Sequence, residues 1–257
     1  MKKLSDQQLA LEVKNLNYSI DKKLLLNDVS IKIPIGSFTL LSGRNGSGKT
    51  LFMRIIKGLL QADSGSILIN NIDVSKNKKR RNELIGYVFQ DADTQMVGQT
   101  VKRDIYFGME NIGLAKDEIE KRFKYAVKLL ELEKVLKQRP RSLSGGEKRK
   151  LAIAGVLVMN PQIIILDEPF ANLDYPAVVQ VLKALTKLQK EGSTIIVATH
   201  EIEKVAFHAN SMIILENGTV VLQDRCEKAL EKVAEFGIRR PVANSKPIAL
   251  EDLTWLK

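Results

Sequence analysis

Short apolar runs recur along this chain, and between them the spacing of apolar positions changes from that of strands to that of helices. Residues 9–16 and 24–33 carry strand-type patterns, and the turn-like pair Asn27-Asp28 is expected between two antiparallel strands. Residues 37–41 read as a buried strand and 51–58 as a helix. Residues 65–70 give a short strand closed by an Asn70-Asn71 turn, and 84–89 a buried strand ending at Gln90. The character then changes. Residues 100–114 and 117–132 read as helices, the second carrying Ile119, Phe123, Val127, Leu130 and Leu132 mainly on one face. A further helix is expected over 146–159. After it strands and helices alternate: strand 162–166, helix 177–191, strand 193–198, short helix 202–209. A hairpin joins 212–216 to 219–223 across Asn217-Gly218, a strong turn pair. A helix over 229–236 follows, then a tail holding Pro241 and Pro247 that reads as irregular. The expected organisation is one α/β unit over 1–225, with a helical subdomain inserted at about 91–160 and a short extension over 226–257.

Composition narrows the choice of function. At 257 residues the chain can bury a stable core without staples. A single cysteine, Cys226, excludes a disulfide framework, and two histidines argue against a multi-His metal site. Residues 1–8 lack the apolar run of a signal peptide, and no stretch approaches the length of a membrane span. A soluble, cytoplasmic protein is the expectation. The net charge of +10 admits an anionic partner. Its densest run, Lys76-Asn77-Lys78-Lys79-Arg80-Arg81, has no interleaved aromatics and reads as a solvated loop or helix face.

The chemistry centres on Gly43-Arg44-Asn45-Gly46-Ser47-Gly48-Lys49-Thr50, which fits G-x-x-x-x-G-K-[ST] and opens the helix that begins with Leu51. Strand, Gly-rich loop and helix is the context of a P-loop. Glycines let backbone N–H groups surround phosphate oxygens, and the helix N-terminus adds partial positive charge. Lys49 can reach the β- and γ-phosphates of a nucleotide, and the Thr50 hydroxyl can ligate Mg²⁺.

Two other stretches belong with it. Ile163-Ile164-Ile165-Leu166-Asp167-Glu168 is an apolar strand ending in carboxylates, where ligands of parallel sheets sit. Asp167 is placed to hold Mg²⁺ directly or through water, and Glu168 to polarise an attacking water. Ser144-Gly145-Gly146 precedes a helix and makes a second anion-binding corner, with Ser144 readable also as a simple N-cap. Both corners can serve one nucleotide only if two chains face each other.

This ordered set, GRNGSGKT, LSGGE, IIIILDEP and Thr199-His200, resembles the ABC-type ATPases over about residues 10–225. The resemblance implies a P-loop NTPase fold of the ABC type: a RecA-like core, an antiparallel β subdomain and an inserted helical subdomain. It implies a head-to-tail pair of cassettes, each ATP lying between one chain's P-loop and the other's LSGGE; the second cassette is either an identical or a related chain. By position, Tyr18 matches the aromatic that stacks on adenine, the alternative being a half-buried strand tyrosine. Gln90 matches the glutamine that senses Mg²⁺ and water, His200 the switch histidine near the γ-phosphate, and Asp174 a loop that contacts the opposite chain. The segment after Gln90 is similar to that of energy-coupling-factor transporter ATPases in Gln95, Thr100, Val101, Asp104, Phe107 and Gly108; it departs at Ala92, Lys102 and Arg103. That subgroup implies an importer of vitamins or of cobalt or nickel, at the cytoplasmic face of the membrane, with a transmembrane coupling subunit and a substrate-binding membrane subunit as partners and no nucleic acid. An ATPase of another ABC transporter class is the alternative; a chromosome-associated one would need a coiled-coil insert absent here. In the coupling-factor reading, Met96, Val97, Ile105, Tyr106, Phe107 and Met109 are expected to divide between the insert's core and an apolar groove for a partner helix.

Overall fold

The computed structural model describes residues 8–256. The leader reading of residues 1–8 falls, except for Gln8, outside them. The elements run β1 (Leu9–Ile20), β2 (Lys23–Pro34), β3 (Phe38–Ser42), α1 (Lys49–Lys57), β4 (Ser64–Ile69), β5 (Ile72–Asp73), α2 (Lys78–Leu84) and β6 (Ile85–Val88). Next come α3 (Val101–Asn111), α4 (Lys116–Leu130), α5 (Gly145–Leu157), β7 (Ile163–Asp167), α6 (Tyr175–Lys190) and β8 (Thr194–Ala198). The chain closes with β9 (Ser211–Glu216), β10 (Thr219–Arg225), α7 (Cys226–Lys232) and the short pair β11 (Val242–Ala243) and β12 (Lys246–Pro247).

Two sheets carry the architecture. One is antiparallel, in the order β2-β1-β4-β5, and the other is six-stranded, in the order β10-β9-β3-β8-β7-β6. Within the latter β9, β3, β8, β7 and β6 are parallel, and β10 closes one edge antiparallel. The parallel strands are apolar throughout because both faces are covered. On β7, Ile164 and Leu166 face the cluster built with α3–α6, while Ile163 and Ile165 face the cluster built with α1 and the antiparallel sheet. A strand of period two can serve two cores only if every position is apolar.

Several expectations are corrected by the backbone. The hairpin turn between β1 and β2 lies at Asp21-Lys22, not at Asn27-Asp28. Asp28 does adopt the left-handed conformation suited to a turn, with φ 50°, but within β2, where the register with β1 shifts. Its N–H goes to Asn17 Oδ1 at 2.9 Å, so a side chain takes over a lost ladder bond. Residues 202–209 form two 3-10 turns rather than one helix. The last helix starts at Cys226, earlier than expected. In the basic run only Arg81 is buried, its Nη1 donating to Ile55 O at 2.8 Å.

The tail is less irregular than its prolines suggest. Leu253 and Thr254 are buried, and Thr254 Oγ1 bonds His208 Nε2 at 2.7 Å. Trp255 packs on Tyr175 with ring centroids 5.5 Å apart, and Lys204 Nζ lies 4.6 Å from its ring. The tail thus fastens the start of α6 to the turns after β8. Trp255→Ala is expected to cost about 1–3 kcal/mol, lowering the melting temperature by roughly 2–4 °C per kcal/mol. Thermal unfolding checks this; an unchanged melting temperature contradicts the fastening role.

Candidate functional site

Three neighbouring strands end together. Register pairs Leu41 of β3 with Ala198 of β8, and Ala198 with Asp167 of β7. The P-loop follows β3, Thr199-His200 follows β8 and Glu168 follows β7, so their ends share one edge of the sheet. Gln90 lies just beyond β6 on the same edge.

The P-loop is shaped for backbone donors. Gly43 has φ 147°, and a Cβ there would lie 2.3 Å from Leu215 O and 2.7 Å from Ser47 Oγ. Only glycine fits. Gly48 caps α1 with φ 102°, and no side chain makes a capping hydrogen bond at that helix end. The first N–H groups of α1 are therefore left for anionic oxygens. Lys49 is buried; its Nζ donates to Gly43 O at 2.6 Å and Arg44 O at 3.1 Å. Burial lowers the Lys49 pKa, opposed by the negative charges of Glu168 and Asp167. Arg44, Asn45 and Gly46 are exposed, Ser47 is buried, and Leu51 packs on the core beside α1.

Thr50 Oγ1 donates to Asp167 Oδ2 at 2.9 Å, and Tyr87 hydroxyl donates to the same oxygen at 3.0 Å. Burial raises the Asp167 pKa, while the bonds from Thr50 and Tyr87 act against that rise. Glu168 stands at φ 46°, a left-handed backbone that costs a non-glycine residue about 1–2 kcal/mol. Its Oε1 lies 2.9 Å from His200 Nδ1, and its Oε2 is buried with no partner. The His200 side chain is 60 % exposed, open to whatever enters the site. Ser47 Oγ is the second buried, unpartnered oxygen here. A phosphate and a hard cation fit this inventory: oxygen donors from Thr50 and Asp167, one lysine, and two polar atoms awaiting partners. Among the described residues no cluster of three or more His, Cys, Asp or Glu forms a metal cage. A cation shared with a substrate phosphate needs none.

The structure does not bring every expected residue to that edge. Tyr18 is half-buried opposite Leu26, packed on the core beneath the antiparallel sheet. The Gln90 side chain is exposed and makes no bond to Thr50 or Asp167; its carbonyl accepts Arg149 Nη2 at 2.7 Å. Arg149 Nη1 donates to Phe89 O at 2.7 Å. This buried guanidinium pins the end of β6 to α5, and sequence reasoning missed it because an arginine on a helix next to LSGGE reads as surface.

Ser144 caps α5, and it does so in a reciprocal capping box with Glu147. Glycine at 145 and 146 is not part of that cap. With Asn172, Asp174 and Ala177 the corner lines a cleft of about 350 Å³ to which no P-loop residue contributes. Asp174 in turn caps α6 through Ala177 N at 3.0 Å. Within one chain, therefore, the P-loop and the Ser144 corner do not open onto a common cleft.

No helix among the described residues is long and apolar enough to cross a membrane. The model of the ABC transporter family matches residues 26–171. The chain is 38 % identical over 215 residues to energy-coupling factor transporter ATP-binding protein EcfA of Methanococcus maripaludis, covering 82 % of this chain and 77 % of that protein. It is 40 % identical over 226 residues to EcfA2 of Ligilactobacillus salivarius, covering 83 % and 78 %. Among solved structures, cbiO1 from Clostridium perfringens, part of the ABC transporter complex cbiONQ, superposes with a TM-score of 0.81. Its identity is 37 %, with 88 % of this chain and 92 % of that chain covered. The family match spans the P-loop, the Ser144 corner and the Asp167-Glu168 strand end together. The chain belongs to the ABC transporter family, as an ATP-binding subunit and an ATPase.

Proposed function

We propose that this chain hydrolyses ATP to drive a membrane importer of the energy-coupling-factor kind, seated at the cytoplasmic face of the membrane and serving uptake of a vitamin or of cobalt or nickel. The observation that carries the ATPase chemistry is the meeting of Lys49, Thr50, Asp167, Glu168 and His200 on one sheet edge. The likeness to EcfA proteins and to cbiO1 of the cbiONQ complex supports the importer.

Loop N–H groups and Lys49 hold the ATP phosphates, and Lys49 exchanges its bonds to Gly43 O and Arg44 O for phosphate oxygens. Thr50 and Asp167 would hold Mg²⁺, and Gln90, just beyond β6 on the same edge, would contact it or its water. Bound Mg²⁺ neutralises charge on the phosphates and orients them. Glu168 Oε2, unpartnered in the free chain, accepts a proton from water as the water oxygen attacks the γ-phosphorus in line and ADP departs. His200, oriented by Glu168, donates to the transferred phosphoryl group. Tyr18 stacks on adenine. Ser144, Gly145 and Gly146 of a second cassette close over the γ-phosphate, since in this chain they open onto a cleft apart from the P-loop. The dimeric bacterial ABC transporter cassette MJ0796 supports such pairing, at 28 % identity and a TM-score of 0.75, covering 84 % of this chain and 98 % of that chain.

The membrane partner docks in a groove of about 890 Å³ lined by Met96, Val97, Arg139, Pro140, Arg141 and Lys148 among others. The groove is less apolar than expected. Ile105 and Met109 are fully buried in the helical layer, Tyr106 packs on Phe123, and Phe107 is exposed away from the groove lining. A partner helix with an apolar side flanked by carboxylates suits the remaining mixture.

Glu168→Gln is expected to retain ATP binding and slow turnover about 10²–10⁴-fold in steady-state assays. Turnover at the parental rate would remove Glu168 as the base. Lys49→Ala is expected to weaken nucleotide binding about tenfold or more. Mixing inactive Lys49→Ala chains with inactive Ser144→Arg chains should restore activity, because one composite site is then intact; no recovery in mixtures shown to contain heterodimers leaves Ser144 as a cap only. Met96→Glu should abolish co-purification with the transmembrane subunits, identified by mass spectrometry, while nucleotide binding survives. Undiminished co-purification would overturn the docking site, and the identity of the substrate-binding subunit tests the transported class.

A further inference from the structure

Tyr87 is the one polar side chain on β6, and the chemistry above leaves it unused. The strand otherwise carries Ile85, Gly86 and Val88. Tyr87 is only 4 % exposed and lies in the apolar cluster with Phe52, Ile55, Ile163 and Ile165. Its ring is held edge-on by Phe89, with centroids 4.9 Å apart and planes at 79°. In such surroundings phenylalanine would pack as well, so the hydroxyl needs a reason. A buried tyrosine hydroxyl seeks a partner, and this one has Asp167 Oδ2 at 3.0 Å.

That oxygen belongs to the side chain that holds the cation in the reading above, on which this inference rests. Asp167 itself is 2 % exposed, so nothing from solvent fixes its rotamer. The other donor to Oδ2 is Thr50 Oγ1 at 2.9 Å, and Thr50 has a second duty as a cation ligand. Tyr87 is not a cation ligand in that reading; its hydroxyl is shared only between Asp167 and the Arg54 side chain, which also hydrogen-bonds it. Its strand pairs with β7 in register, Val88 against Leu166, so the donor and the carboxylate are carried by the same hydrogen-bonded ladder. Arg54, one helical turn beyond Thr50 on α1, places its positive charge beside both the Tyr87 hydroxyl and the Asp167 carboxyl. We propose that Tyr87 is a positioning residue for the metal: its hydroxyl fixes the direction in which Asp167 meets the divalent cation bound with ATP. Groups that orient a metal ligand from behind typically change metal affinity about 10–100-fold when removed.

Tyr87→Phe tests this in the full chain, since it keeps the ring, its edge contact with Phe89 and its volume. The readout is binding of Mn²⁺, followed by electron paramagnetic resonance, in the presence of a non-hydrolysable ATP analogue. The expected result is a Mn²⁺ dissociation constant raised about 10–100-fold. The Mg²⁺ concentration giving half-maximal turnover should move with it, and excess Mg²⁺ should restore turnover. Binding of ATP in EDTA should match the parent, which a general disturbance of the site would not allow. Unchanged Mn²⁺ affinity overturns the proposal, as does a loss of metal affinity matched by an equal loss of metal-free ATP binding. Asp167→Asn separates the two levels. If it binds Mn²⁺ like the parent, Asp167 is not the ligand and the reading of the site fails. If it loses Mn²⁺ while Tyr87→Phe does not, only the positioning role fails.

Discussion

Ala198 pairs with Leu41 on one side and with Asp167 on the other, and this register decides where every reacting group can stand. Strand spacing in a sheet is about 4.8 Å, so three strands that stop at one level present their following residues within reach of a single phosphate chain. The parallel arrangement adds direction, since all these ends point the same way. Slipping β7 by one residue would turn Asp167 to the opposite face and expose Ile163 and Ile165 to the wrong core. The apolar runs that make the strands buried are thus also what aligns the chemistry.

Local strain is present at the same edge. Glu168 takes a left-handed backbone, Gly43 admits no side chain, and two oxygens lie buried without partners. Each is unfavourable in the isolated chain and becomes useful when a phosphate and a cation supply the missing bonds. Behind this edge the Arg149 guanidinium grips Phe89 O and Gln90 O from α5. These bonds tie the end of β6 to the helix that Ser144 caps and that carries Lys148, and Lys148 in turn pairs with Asp93 at 2.7 Å. That route joins the nucleotide edge to the groove containing Met96 and Val97 through named bonds.

Much of this was legible in the residues. The P-loop, the apolar strand ending in Asp167-Glu168 and the Asn217-Gly218 hairpin each carry a pattern that only one local structure satisfies. The Asn27-Asp28 pair misled because the same left-handed preference serves a bulge as well as a turn, and long-range pairing between β1 and β2 decided between them. Ser144 and Asp174 were visible as special positions, yet their capping roles depend on where α5 and α6 begin. Tyr87 and Arg149 were hidden for a different reason. Their meaning lies in partners far along the chain, Asp167 and the carbonyls of Phe89 and Gln90, and no spacing rule reports such contacts. The tail escaped because its anchors, Leu253, Thr254 and Trp255, are three consecutive residues, too few to carry a period.

The central question is whether one bound nucleotide meets all of these groups. A structure with Mg²⁺ and a non-hydrolysable ATP analogue tests it most directly. The γ-phosphate is expected against Lys49 and His200, the cation on Thr50 and Asp167, and Ser144 of a second copy on the far side. A nucleotide held by one chain alone, with the cation away from Asp167 and no Ser144 at the phosphates, would contradict it.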